Sequence, residues 1–168
     1  MSLFLSKLPE KEFYQSLSKT FPCIDPSSVE TLLRLRKLAA DLDKGIDQFL
    51  QSHSLLSGRF SVLMQLAYAK DPEGLKSITL AELLGVTRGN MTGLLDGLEE
   101  AGLVVRVSDS RDRRIAYIQL TKKGRDTVTK VGADYFKRVC KMMSRVSEKE
   151  KSSMNKSLEK MNELMAFK

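Results

Sequence analysis

The sequence predicts a mainly α-helical fold that carries one small antiparallel β-hairpin. Three observations predict it. Apolar residues recur at helical spacing through most of the chain, in segments opened by capping residues. Two short runs rich in Val, Ile and Tyr, about 103–108 and 114–120, interrupt that pattern once. Between them stands Asp-Ser-Arg-Asp-Arg-Arg, residues 109–114, with five ionised side chains in six positions, which suits a solvent-exposed hairpin tip.

Each element has its own signal. Residues 10–20 have short helical character, and Pro22 and Pro26 then interrupt the pattern. Ser27 with Glu30 forms a capping box that opens a long amphipathic helix over about 28–52, with Val29, Leu32, Leu33, Leu42, Ile46, Phe49 and Leu50 at helical spacing. Another helix starts at Ser57, and residues 70–77 read as a loop. Thr79 with Glu82 forms a second box before a short helix, which Gly85 and Val86 turn into the next. Thr87 caps that next helix, and Gly102 ends it. The hairpin follows. Thr121 starts a long helix, and Ser147 with Glu150 starts the last one, to about Phe167.

Composition sets wide bounds. The chain has 168 residues and a formal net charge of +7, distributed as +1 over 1–78, +2 over 79–125 and +4 over 126–168. That excess permits an anionic partner without requiring one. No apolar run is long enough to span a bilayer, and the N-terminus does not read as a signal peptide, so a cytoplasmic protein with no membrane partner is expected. Cys23 and Cys140 give neither a metal-ligand spacing nor a disulfide framework. With no nucleophile–base pair, phosphate loop or metal motif, no enzyme, no catalytic residue, no metal and no cofactor are expected.

The stretch 79–101 fits a helix-turn-helix. Ala81 is small where two helices must approach, Gly85 lies in the turn, and Leu80, Leu84, Val86, Met91 and Leu94 supply the apolar contacts. On the second helix Met91, Leu94, Leu95 and Leu98 face inward, leaving Arg88, Gly89, Asn90, Thr92 and Gly93 outward at the helix N-terminus. There the macrodipole favours phosphate, Asn suits adenine edges, and Arg suits guanine or phosphate. A hairpin directly after such a unit makes it a winged helix. This accounts for the charged tip, because an arginine such as Arg111 suits a narrow minor groove. Asp109 and Asp112 then serve as bidentate braces for the arginines.

The segment 79–125, with Gly-Leu-Val-x-Arg-x-x-Asp-x-Arg-Asp-Arg-Arg and then Ile-x-Leu-Thr-x-Lys-Gly, resembles in motif the core of the MarR family of bacterial transcription regulators, and roughly 30–145 resembles it in order of elements. The resemblance implies a winged helix-turn-helix over 57–121, flanked by helical dimerisation regions at 1–56 and 122–168. It places recognition-helix contacts at Thr87, Arg88, Asn90, Met91 and Thr92, and the wing Asp-x-Arg element on Asp109 and Arg111, with Arg113 and Arg114 beside it. It implies a homodimer on a pseudo-palindromic double-stranded DNA operator, and a repressor released by a small molecule. Two features depart from the family pattern. Gly93 and Gly97 stand where many members carry arginine, and the N-terminus is longer than is typical.

Control is expected from a small aromatic or phenolic anion wedged where residues 46–64 meet the DNA-reading unit. Ile46, Phe49, Phe60 and Met64 supply an apolar wall, and His53 and Arg59 supply polar groups, with Arg59 placed to hold a carboxylate. His53 alone, with no His, Cys or acidic cluster beside it, is an ordinary helix-end residue. Two other readings stand beside this one: a winged-helix module for protein contacts without an operator, and a thiol-based redox regulator using Cys23. No basic residue adjoins Cys23 to lower its pKa. Cys140 and the methionines around it are expected in the core or at an interface.

Overall fold

A computed structural model describes residues 7–108 and 116–165. Its elements are α1 (Lys11–Thr20), α2 (Pro26–Gln51), α3 (Ser57–Ala67), β1 (Leu75–Lys76), α4 (Ser77–Leu84), α5 (Arg88–Glu100), β2 (Val104–Ser108), β3 (Ala116–Leu120), α6 (Lys122–Met143) and α7 (Glu148–Met165). The chain forms two compact units, residues 1–61 and 62–168, with the boundary inside α3.

In the first unit α1 packs on α2, burying Tyr14 and Leu33. The start of α2 differs from expectation. Its N-cap is Asp25, whose carboxylate accepts the Ser27 and Ser28 amides at 3.0 and 3.1 Å and both serine hydroxyls. Pro26 does not break a helix here. It occupies the first helical position, where its fixed φ suits the helix and its missing N–H costs nothing. Glu30, freed from the expected box, pairs with Arg34 one turn on at 2.7 Å. The serine hydrogen bonds hold the Asp25 carboxyl below its usual value. At the far end Ser54 takes a left-handed conformation (φ 55°), and the Leu55 amide bonds back to the Leu50 carbonyl at 3.0 Å. Phe49, Leu50, Leu55 and Phe60 are buried there.

The second unit is built on a three-stranded antiparallel sheet of order β1-β3-β2. The sequence predicts the hairpin, in which Val104 faces Leu120 and Ser108 faces Ala116. It does not predict β1, which stands where a loop was expected and sets Leu75 opposite Ile118. That strand delivers the chain straight into α4, which therefore begins at Ser77 behind an extended Lys76 rather than at a Thr79 cap. Gly74 is required at the entry to β1. Its φ is +92°, and an added Cβ would lie 2.2 Å from the Ile118 carbonyl oxygen.

The core of this unit joins Leu80 of α4, Met91, Leu95 and Leu98 of α5, and Ile118 of β3, each at most 1% exposed. Each such side chain contributes roughly 1.5–3 kcal/mol relative to exposure. Cys140 is exposed rather than buried in the core of a single chain. The last helix opens as expected. Ser147 and Glu150 exchange hydrogen bonds, which hold the Glu150 carboxyl below its usual value. Among the described residues, no helix is long and apolar enough to cross a membrane.

Candidate nucleic-acid interface

The turn between α4 and α5 follows from Gly85. With φ at 63° it ends α4 in the left-handed region, and the Val86 amide returns to the Ala81 carbonyl at 3.0 Å. Ala81 itself is buried. Thr87 then caps α5, its Oγ1 accepting the Asn90 amide at 3.2 Å. Arg88, Gly89, Asn90, Thr92 and Gly93 are all exposed, as the helical period requires. No acid stands in the first turn to oppose the positive end of the helix dipole. A Cβ built on Gly89 or Gly93 meets nothing within 4 Å, so neither glycine serves internal packing. Both leave the helix surface low, which favours close approach to another surface. The Thr92 hydroxyl donates to the Arg88 carbonyl at 3.0 Å, and the residue stays exposed.

Met91 corrects the expectation drawn from the resemblance. It is 0% exposed, with no surface to offer DNA. The helical period, which set it inward beside Leu95 and Leu98, is the better guide. Asp109, Arg111, Arg113 and Arg114 lie outside the described residues.

One residue that the sequence reading missed ties wing to helix. Arg106 of β2 reaches across to α5, pairing with Asp96 at 2.5 Å and Glu99 at 3.0 Å. The hydrogen bond that Arg106 donates to the Asp96 carboxylate holds the guanidinium pKa above its ordinary value. The pairs neutralise two carboxylates on the very helix that presents Arg88 and Asn90. The available signal was an i,i+3 acid pair on one helix face followed by an arginine in the next strand.

The Leu-Thr-Lys-Lys-Gly run has an equally local purpose. Thr121 caps α6 through the Gly124 amide at 3.0 Å, and its hydroxyl donates to the Gly102 carbonyl at 2.7 Å. Lys123 donates to the Ala101 carbonyl at the end of α5 at 2.8 Å. Gly124 permits the approach, because a Cβ there would lie 2.0 Å from the Leu103 carbonyl oxygen. The end of α5, the start of β2 and the start of α6 are thus pinned at one point.

Of the expected effector residues, Ile46, Phe49, His53, Arg59 and Phe60 stand in the first unit and Met64 in the second. Phe49 and Phe60 are buried, while Ile46, His53 and Arg59 are half-buried. The Phe49 and His53 rings meet edge-on at 4.8 Å between centroids. Cys23 is an exposed free thiol in the turn between α1 and α2. No group of three or more metal-ligating side chains occurs among the described residues.

Comparison with known proteins agrees with this geometry. The family model described as "MarR family" matches residues 53–115. The chain is 31% identical over 154 residues to the HTH-type transcriptional repressor YetL of Bacillus subtilis (strain 168), covering 92% of each chain. Its fold is similar to that of S. aureus MepR in complex with DNA, with a TM-score of 0.71 and 25% identity over 78% of this chain and 95% of that one. It is also similar to CouR from Rhodococcus jostii RHA1 bound to p-coumaroyl-CoA, with a TM-score of 0.64 and 25% identity over 76% and 87% of the two chains.

Proposed function

The chain belongs to the MarR family of helix-turn-helix transcription regulators, and on that premise we propose that two copies together read a pseudo-palindromic operator as a repressor. It is a DNA-binding regulator, not an enzyme. The observation that carries the finer reading is the first turn of α5. Thr87 caps it, and Arg88, Asn90 and Thr92 stand exposed over glycines that keep the surface low. These residues enter a major groove, with Asn90 and Thr92 on base edges and Arg88 on guanine or phosphate. Arg111, with Arg113 and Arg114, serves the neighbouring minor groove, braced by Asp109.

The flanking helices assemble the dimer. On α7 the apolar Met154, Leu158 and Leu164 are exposed, as are Leu32 and Leu38 of α2. Such apolar surface is covered most simply by a second copy about a two-fold axis. Thus 1–56 and 122–168 form the dimerisation region, and 57–121 the DNA-binding region. A small aromatic or phenolic anion acts as effector in the first unit, stacked at Phe49, His53 and Phe60 beside Ile46, with Arg59 on its charge. The CouR structure with its bound aromatic thioester supports an organic effector. A ligand that favours the DNA-free arrangement by about 1.4 kcal/mol lowers DNA affinity tenfold.

The test is DNA binding by anisotropy across a salt series, on duplex from the protein's own promoter region. Arg111→Ala and Asn90→Ala are expected to cost about 1–3 kcal/mol each while leaving the fold intact. Unchanged affinity in both variants would remove the assigned contacts.

A further inference from the structure

We propose that a groove between α6, β3 and the end of α3 binds an elongated amphiphile with a terminal carboxylate. The groove lies wholly within the second unit and shares no residue with the effector cluster or with the reading face of α5. Its cavity measures about 670 Å³. Ile118 and Leu120 of β3 and Val128 of α6 line it with apolar surface, and the aromatic rings of Tyr68 and Phe136 stand beside them. Tyr68 is 71% and Phe136 45% exposed, so these rings are uncovered in the single chain.

The shape follows from the helix. The lining residues Arg125, Thr129, Gly132 and Phe136 recur every three or four positions, so they share one face of α6. From Arg125 to Phe136 that face runs roughly 16 Å at 1.5 Å per residue. A single-ring acid leaves most of such a trough empty, whereas a long apolar body follows it.

The charge sits at one end. Arg125 belongs to the first turn of α6, beside Lys122 and Lys123, where the helix dipole is positive. Its guanidinium donates to the Leu120 carbonyl at 2.7 Å and forms no ion pair among the described residues, which leaves most of its five donors for a ligand. Three other polar side chains of the lining have partners within the fold. Asp71, the one acid in the lining, accepts the Glu73 amide at 2.9 Å. Gln119 donates to the Glu73 carbonyl at 2.8 Å, and the Thr129 hydroxyl to the Arg125 carbonyl at 3.0 Å. A trough whose lining is more apolar than polar, with one arginine at its head, matches a long-chain carboxylate better than a cationic compound.

The probe is dodecanoate, titrated into the full-length protein below its micelle concentration and followed by amide chemical shifts, with dodecanol as the uncharged control. Saturable shifts are expected at Gly74, at 118–120 and along 125–136. Dodecanoate is expected to bind at least tenfold more tightly than dodecanol, and Arg125→Gln to remove that preference. Thr129→Trp, which fills the trough from an exposed position, is expected to abolish binding with the helical spectrum unchanged. Four results would each overturn the assignment: no saturable shift; shifts centred elsewhere; an Arg125→Gln variant that binds dodecanoate like wild type; or groove amides that stay silent because a second copy covers them. None of these readouts involves DNA, so the outcome is independent of the operator reading.

Discussion

Replacing Arg106 with Ala separates two roles that the wing strand plays. In the fold, the side chain is 38% exposed, and its partners Asp96 and Glu99 are 56% and 39% exposed. Pairs this open are each worth about 0.2–1 kcal/mol, so Arg106→Ala is expected to lower stability by only about 1 kcal/mol. For DNA the consequence is larger. Two carboxylates on α5 become unpaired beside a polyanion. At about 10 Å each adds roughly 0.4 kcal/mol of repulsion per phosphate in water-like dielectric, less with salt. With several phosphates in range and β2 released from α5, the total loss is about 1–2 kcal/mol, or roughly 5–30-fold in affinity. The assay is anisotropy on promoter duplex at fixed salt, comparing Arg106→Ala with the triple variant that adds Asp96→Asn and Glu99→Gln. The triple variant is expected to recover at least half of the lost free energy, and the deficit of Arg106→Ala to shrink as salt rises. Affinity within twofold of wild type for Arg106→Ala, or no recovery in the triple variant, would refute the neutralising role.

Gly124→Ala places a Cβ 2.0 Å from the Leu103 carbonyl oxygen, so α6 must back away from the wing base. Overpacking of about 1–3 kcal/mol outweighs the helix-propensity gain of about 1 kcal/mol, and a lower melting temperature is expected; a rise would show that the contact relaxes freely. Met91→Ala is expected to cost about 2–5 kcal/mol of stability, while Met91→Leu costs under about 1.5 kcal/mol and leaves DNA affinity unchanged. A well-folded Met91→Leu with tenfold weaker binding would return Met91 to the DNA surface. The Asp25 and Glu150 carboxyls are both held below their ordinary values of 3.8 and 4.5 by serine hydrogen bonds. Their folded pKa values are depressed, so their stabilisation is complete above those ordinary values and is lost as pH falls through the lower folded ones. Carboxyl NMR titration is expected to place both midpoints below the ordinary values, and normal midpoints would show that the caps are absent in solution.

Features set by neighbours in sequence were legible, and features set by distant partners were not. The caps made by Thr87 and Thr121, the left-handed turns at Gly85 and Gly102 and the Ser147–Glu150 box are each set within a few residues, and each stands where its local signal put it. The cap of α2 shows a local contest misjudged. Ser27 fits a box, but Pro26 at the first helical position lets Asp25 take both serine amides. Strand β1 has two residues and exists only because Leu75 and Lys76 pair with Ile118 and Tyr117, some forty positions later. No propensity of a two-residue segment reveals that. Arg106 likewise looks like one more charge on a hairpin until the fold sets it over Asp96 and Glu99. For Met91 the period and the family pattern disagreed, and packing followed the period.

The most direct test of the account is a hydroxyl-radical footprint on the protein's own promoter region, made at a concentration where sedimentation reports the oligomeric state. The account predicts a dimer protecting two patches on one face of the duplex, roughly 10 bp apart centre to centre. A monomer protecting a single patch, or a dimer whose protection shows no two-fold relation, would contradict it.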